Sequence, residues 1–110
     1  MKSNELRIGN LIYHGNDVVT VQIIDNQYRE YIASEEGEGI WPIEYFQPIE
    51  LTKEWLLKAG FKPFDKDFAK NGIIVHSRKR GYVINKKVPI MQYVHQLQNY
   101  YYANRNEELY

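Results

Sequence analysis

Turn-forming residues divide the first fifty residues of this chain into short segments. The sequence His14-Gly15-Asn16-Asp17 separates a strand candidate at Leu11 to His14 from another at Val18 to Ile24. Gly and Asn tolerate the positive φ angles that tight hairpins need. Asp25-Asn26 marks the next turn, and the third strand is predicted over Gln27 to Ala33. Short strands with sharp turns favour a small barrel or a curled antiparallel sheet.

Side-chain alternation and two prolines refine this prediction. Along the second strand, Val19, Val21 and Ile23 should share one face. The glycine- and glutamate-rich segment 34–39 predicts a loop, and the prolines within 40–50 exclude a long central strand there. We therefore expect a short strand or helical turn, with Trp41, Tyr45 and Phe46 closing the end of the barrel.

A short helix is predicted over residues 51–60. Thr52 is the expected N-cap, and Leu51 and Leu56 have the spacing of a hydrophobic staple. Gly60 can adopt the left-handed conformation that ends a helix, and Phe61 can then fold back onto Leu56.

Hairpins and a longer helix are predicted for the rest of the chain. Asn71-Gly72 is a strong hairpin signal within residues 63–88, and Pro89 can open a helix over residues 90–103. The predicted fold is therefore a single α+β domain over residues 1–110. It has a barrel-like meander over residues 1–50, a curved antiparallel sheet, one short helix and a C-terminal helix packed on the sheet.

The C-terminal helix has two unlike faces. A projection at 100° per residue places six apolar and aromatic residues on one core-facing stripe: Ile90, Tyr93, Val94, Leu97, Tyr100 and Tyr101. The remaining face lacks charge without being apolar, and its candidate contact residues are Met91, Gln92, His95, Gln98, Asn99 and Tyr102. Interface cores are depleted in charge and enriched in Tyr and Met. This face predicts contact with a protein partner or a second copy of the chain. Cover by the chain's own meander over residues 1–50, and a small-molecule or nucleic-acid site, are the alternatives.

The charges of this 110-residue chain sum to zero but are unevenly distributed. Residues 1–68 hold 7 basic and 12 acidic residues, whereas residues 69–110 hold 7 basic and 2 acidic residues. The predicted hairpin tips carry five cations around one tyrosine: Arg78, Lys79, Arg80, Lys86 and Lys87, with Tyr82. A basic groove with aromatic side chains is typical of single-strand binding, so a nucleic-acid-binding small barrel is the alternative function. Ordinary solvated surface charge is the other interpretation.

Motifs for catalysis and metal binding are absent from the sequence. The chain has no cysteine, its three histidines lack ligand spacing, and it has no nucleophile elbow, phosphate loop or zinc motif. We therefore expect a non-enzymatic protein without catalytic residues, a metal site or a cofactor. No stretch resembles a signal peptide or a membrane span, which predicts a cytoplasmic protein without membrane association.

Three segments together resemble one protein family. They are "NELRIGNLIY" (4–13), "PIELTKEWLLKAGF" (48–61) and "YVHQLQNYYYANRNEEL" (93–109). They are similar to small uncharacterised proteins of Bacteroides-type bacteria and their prophages, with the pattern ELRIGN, PIxLTxExLxxxGF, YxHQLQN and EEL. The segment "YYYANRNEEL" departs from the more usual "LYFALTGEEL". The resemblance implies a phage or mobile-element setting and a cytoplasmic location, and it transfers no catalytic residue.

Overall fold

The computed structural model describes residues 1–27 and 29–110 and confirms the predicted α+β fold class. These residues form two antiparallel sheets, and neither sheet closes into a barrel within the described part of the chain. The first sheet contains β1 (Leu11–His14), β2 (Asp17–Asp25), β3 (Tyr31–Ser34), β4 (Trp41–Pro42) and β5 (Phe46–Gln47). The second contains β6 (Lys62–Phe64), β7 (Asp67–Lys70), β8 (Ile73–Arg78) and β9 (Gly81–Val83). The helices are α1 (Lys53–Lys58) and α2 (Val94–Arg105).

The first sheet is strongly curled. Its order is β4-β3-β2-β1-β5, and a 3₁₀ turn at Ile43–Tyr45 joins its two edge strands. This curl encloses a core of aliphatic side chains and one aromatic ring: Leu6, Ile12, Val19, Val21, Ile32, Ile43 and Phe46.

An irregularity in β2 changes the predicted alternation. Val19 and Val21 are buried as expected, but Ile23 is 50% exposed. The register with β3 shifts between Val21 and Ile23. Such a bulge adds one residue and reverses the faces beyond it. The third strand also begins at Tyr31, later than predicted, and Tyr28 of the predicted strand lies outside the described residues.

Helix α1 forms as its capping signals predict. The Thr52 hydroxyl accepts a hydrogen bond from the Trp55 amide at 3.4 Å. At the other end, Gly60 has φ +93° and the Phe61 amide donates to the Leu56 carbonyl. Leu56 and Phe61 are buried in the second core, which lies between the sheet of order β6-β7-β8-β9 and α2.

Helix α2 begins at Val94 and not at Ile90. Residues Met91–Tyr93 are extended, because Met91 exchanges two backbone hydrogen bonds with Tyr82 of β9. On the other side of this segment, the Leu51 amide donates to the Gln92 carbonyl. Pairing on both sides holds these residues in extended geometry, so the helix starts after them.

The helix ends are defined by local hydrogen bonds. Gln96 Oε1 accepts from the amides of Gln92 and Tyr93, which satisfies donors at the helix start. Asn106 ends the helix in the left-handed conformation at φ 55°. The predicted core stripe is confirmed for Val94, Leu97 and Tyr101, which are fully buried. Tyr93 and Tyr100 are half-buried, and Ile90, which precedes the helix, is 44% exposed.

Candidate functional site

The uncharged face of α2 is covered by the chain's own N-terminal segment. Gln98 Nε2 donates to the Gly9 carbonyl at 3.1 Å, and Gln98 Oε1 accepts from the Leu11 amide at 2.8 Å. Asn99 continues the contact, since its side chain accepts from Asn10 Nδ2 and donates to the Glu5 carbonyl. We refer to these bonds, made by Gln98 and Asn99, as the amide clasp.

The predicted partner-binding residues are therefore largely internal. Met91, His95 and Gln98 are at most 3% exposed, and both ends of the Asn99 side chain are engaged. Only Gln92 and Tyr102 are exposed, and the Arg7 guanidinium lies 4.2 Å from the centre of the Tyr102 ring. The predicted interface with a partner or second copy is corrected for this face. Gln98 and Asn99 are buried against backbone groups, and an uncharged amide can both donate to a carbonyl and accept from an N–H group.

His95 is the exception within this covered face. It is 1% exposed, and neither ring nitrogen has a hydrogen-bond partner among the described residues. Its ring is parallel to that of Tyr93, with centroids 5.8 Å apart. Burial lowers the pKa of His95 below its usual value of about 6.5, although the nearby carboxylate of Glu5 opposes this shift. The ring is therefore held neutral at physiological pH.

The predicted nucleic-acid residues divide into two groups. Arg78, Lys79, Arg80 and Tyr82 line one groove of about 540 Å³, which we call the basic groove. Lys86 and Lys87 are exposed in the turn after β9 and do not line it.

Distant segments complete the basic groove. Lys53 at the start of α1 adds a fourth cation, Glu50 adds one carboxylate, and Tyr93 faces the same space as Tyr82. Within the described part of the chain, the two ion pairs are Arg7 with Glu108 and His76 with Asp67. Among these residues, the four groove cations therefore have no acidic partner at ion-pair distance.

A second unusual surface lies at the edges of the first sheet. His14 packs against Trp41 and Phe46, with ring centroids 5.7 and 4.7 Å apart, and Trp41 contacts Tyr45 at 5.5 Å. We call these four residues the aromatic cluster. Phe46 is buried as expected for a residue closing the sheet, but Trp41 is 42% and Tyr45 57% exposed. The sequence does not predict the aromatic cluster as a site. The signal that could have indicated it is the position of Trp41 and Tyr45 shortly after the glutamate-rich loop 34–39.

Neither the His76–Asp67 pair nor a metal cluster provides a further site among the described residues. His76 Nδ1 lies 2.8 Å from Asp67 Oδ2 across the β7–β8 pair, a local contact at the surface. Across residues 1–27 and 29–110, no three His, Asp or Glu side chains cluster as they would around a metal ion. Neither helix in the described part of the chain is long and apolar enough to cross a membrane.

Comparisons with protein-family models, with curated proteins and with solved structures give no match to this chain. The resemblance to the Bacteroides-type family stays a prediction.

Replacing Gln98 by Leu tests the amide clasp. The change leaves the Gly9 carbonyl and the Leu11 amide without their partner, so we expect a loss of about 2–4 kcal/mol in the free energy of unfolding, measured by urea titration. Gln92→Leu is the matched control: it makes the same change at an exposed residue and should cost less than about 0.5 kcal/mol. Equal effects of the two variants would contradict the clasp.

The buried neutral His95 predicts a pH dependence of stability. The unfolded chain binds a proton near pH 6.5, whereas the folded chain does so only at lower pH, because burial lowers its pKa. The contribution of His95 to the free energy of unfolding is fully present above about pH 6.5. It decreases as the pH falls towards the lowered pKa, by about 1.4 kcal/mol per pH unit at most. Urea titrations at about pH 7.5 and about pH 5.5 should show a smaller loss for His95→Gln than for the unmodified chain. Identical losses would contradict a lowered pKa of His95 in the folded chain.

Proposed function

We propose that this chain is a non-enzymatic binding protein that contacts another protein through the aromatic cluster. The observation that carries this proposal is the exposure of Trp41 and Tyr45, which touch each other at one edge of the first sheet. Trp and Tyr are enriched in interface hot spots because they bury a large area at a small entropy cost. A surface of this kind replaces the face of α2 as the candidate contact.

The charge around the aromatic cluster favours a basic partner. Between residues 8 and 49 the chain carries one basic residue, Arg29, and seven acidic residues. Asp17 lies opposite His14 in the register of β1 and β2. Glu44 lies in the turn between Trp41 and Tyr45. A segment containing Lys or Arg could pair with these carboxylates and place its cation over the aromatic rings. We therefore propose a partner segment rich in lysine or arginine.

The two tryptophans allow a direct test by NMR. The indole N–H signal of Trp41 reports the aromatic cluster, and that of Trp55, which packs against Tyr110 on the other half of the molecule, is an internal control. We expect a pool of random decapeptides with central Lys or Arg to shift the Trp41 signal and leave that of Trp55 unchanged.

Charge and site variants complete this test. A peptide pool with central Glu should shift neither signal, and Tyr45→Ala should weaken binding about tenfold or more. Phe64→Ala, which truncates another exposed aromatic ring, is the matched control and should bind as the unmodified chain does. No shift with the basic pool, or equal shifts with both pools, would overturn the proposal.

Single-stranded nucleic acid is the second candidate ligand, and the basic groove is the observation that favours it. Four cations face one carboxylate there, beside Tyr82 and Tyr93, and none of the four forms an ion pair within residues 1–27 and 29–110. Phosphates are attracted by such cations, and unstacked bases can pack on aromatic side chains. Double-stranded nucleic acid does not offer unstacked bases.

Anisotropy of a labelled oligothymidylate of about twelve nucleotides tests this candidate. Binding to three or four cations predicts a slope of about −2 to −3 in log affinity against log salt between about 50 and about 200 mM NaCl. Arg78→Gln with Arg80→Gln should reduce this slope by about 1.4, since each phosphate contact contributes about 0.7.

The lysines outside the groove provide the matched control. Lys86→Gln with Lys87→Gln removes the same charge and should leave the slope unchanged. Glu50→Gln removes the opposing carboxylate and should tighten binding. Equal losses from the two double variants would indicate unspecific attraction to positive charge, and absence of binding would exclude this candidate.

The setting of the protein is proposed from the family resemblance. We infer a phage or mobile-element origin and a cytoplasmic location, supported by the ELRIGN and HQLQN segments.

A further inference from the structure

We propose that the partner of the aromatic cluster is a second copy of this chain, which supplies the tip of its β8–β9 hairpin. This inference rests on the proposed function, because it names the basic segment that the aromatic cluster would bind. The tip carries three consecutive exposed cations, Arg78, Lys79 and Arg80, which we call the basic tip.

The basic tip is held in one conformation by the fold around it. Arg78 lies opposite Gly81 in the register of β8 and β9, so Lys79 and Arg80 form a two-residue turn. Gly81 has φ +146°, and a Cβ atom at this position would lie 2.5 Å from the Met91 carbonyl oxygen. Glycine therefore permits a close approach that fixes the end of the hairpin against the segment before α2. A tip fixed in this way loses little conformational entropy when it binds.

Three exposed carboxylates border the aromatic cluster and match the three cations in number. They belong to Asp17, Glu38 and Glu44, and none of them forms an ion pair within residues 1–27 and 29–110. Glu36 in the same loop differs, because its carboxylate accepts hydrogen bonds from the amide and the hydroxyl of Thr20. The cluster of one copy and the basic tip of the next therefore have complementary charge.

The orientation of Trp41 favours the arginines of the tip. The indole N–H of Trp41 donates to the Glu38 carbonyl at 3.0 Å, so this donor is already used and the ring is held in place. A planar, weakly hydrated guanidinium stacks on aromatic rings more readily than an ammonium group does. The basic tip supplies two such groups, from Arg78 and Arg80.

The contact would have to form between copies. Within the described part of one chain, the cations that lie over aromatic rings contact Tyr102, Trp55 and Tyr101, and none contacts the aromatic cluster. The basic tip belongs to the sheet β6–β9, whereas the cluster lies at the edges of the sheet β1–β5. Contact between two unlike surfaces is heterologous, so each bound copy still offers one cluster or one tip to a further copy.

Sedimentation velocity of the unmodified protein tests for this association. We expect reversible association that continues beyond the dimer as the protein concentration increases. The contact depends on exposed charges, so the association should weaken at least about tenfold between about 50 and about 500 mM NaCl. This measurement remains decisive even if a variant does not fold.

Two complementary variants distinguish a heterologous contact from a symmetric one. Tyr45→Ala removes the most exposed ring of the cluster, and Arg78→Gln with Arg80→Gln removes the arginines of the tip. Each variant alone should associate at least about tenfold more weakly than the unmodified chain. An equimolar mixture of the two retains one intact contact, so it should form dimers and nothing larger. Lys86→Gln with Lys87→Gln, which removes the same charge elsewhere, is the matched control and should associate as the unmodified chain does.

The Trp41 indole N–H signal locates the contact. In the labelled Arg78→Gln, Arg80→Gln variant it should shift when the unlabelled Tyr45→Ala variant is added, and the Trp55 signal should not. A monomeric unmodified protein at about 1 mM in low salt would overturn the inference, as would a mixture that associates no more than its components. If the basic peptide pool nevertheless shifts the Trp41 signal, the proposed function stands and the partner is another protein. No shift with that pool would overturn both.

Discussion

The hydrogen bonds of Gln98 connect the two halves of this protein. The first core lies inside the curled sheet β1–β5, and the second lies between α2 and the sheet β6–β9. Gln98, fully buried on α2, bonds to Gly9 and Leu11 at the entrance to β1. Because its two partners are backbone groups on either side of Asn10, a shorter or apolar side chain cannot replace it without leaving them unsatisfied.

The amide clasp also determines which surfaces remain available. Once the N-terminal segment covers α2, the unusual exposed features lie elsewhere: the aromatic cluster on the acidic half and the basic groove on the other half. The molecule is elongated, with extents of 45 × 28 × 26 Å. The aromatic cluster and the basic groove differ in charge, so they are suited to different ligands. The net charge of zero does not indicate this difference between the two halves.

Local signals predicted much of the fold. Gly15-Asn16, Asn71-Gly72 and the capping residues of α1 act within a few residues, so β1, β2, the β7–β8 hairpin and α1 formed as expected. The predicted start of α2 at Ile90 was wrong because Met91 pairs with Tyr82 of β9. Helical periodicity along the sequence does not indicate such a long-range contact.

The candidate sites depend even more on long-range contacts. Gln98 meets Leu11 across 87 positions, so the sequence showed an uncharged face without showing its cover. The basic groove joins Glu50, Arg80 and Tyr93 from three segments, of which only the hairpin tip was recognisable beforehand. The bulge in β2 likewise depends on pairing with β3 and exposed Ile23 against the simple alternation.

Hydrogen exchange of the Leu11 amide tests most directly whether the two halves are joined through Gln98. This amide donates to the side chain of Gln98 on α2. If the amide clasp is formed, the Leu11 amide should exchange only through global unfolding, as slowly as the amides in the centre of β2. Exchange at the rate of an unprotected amide, with β2 still protected, would contradict the account.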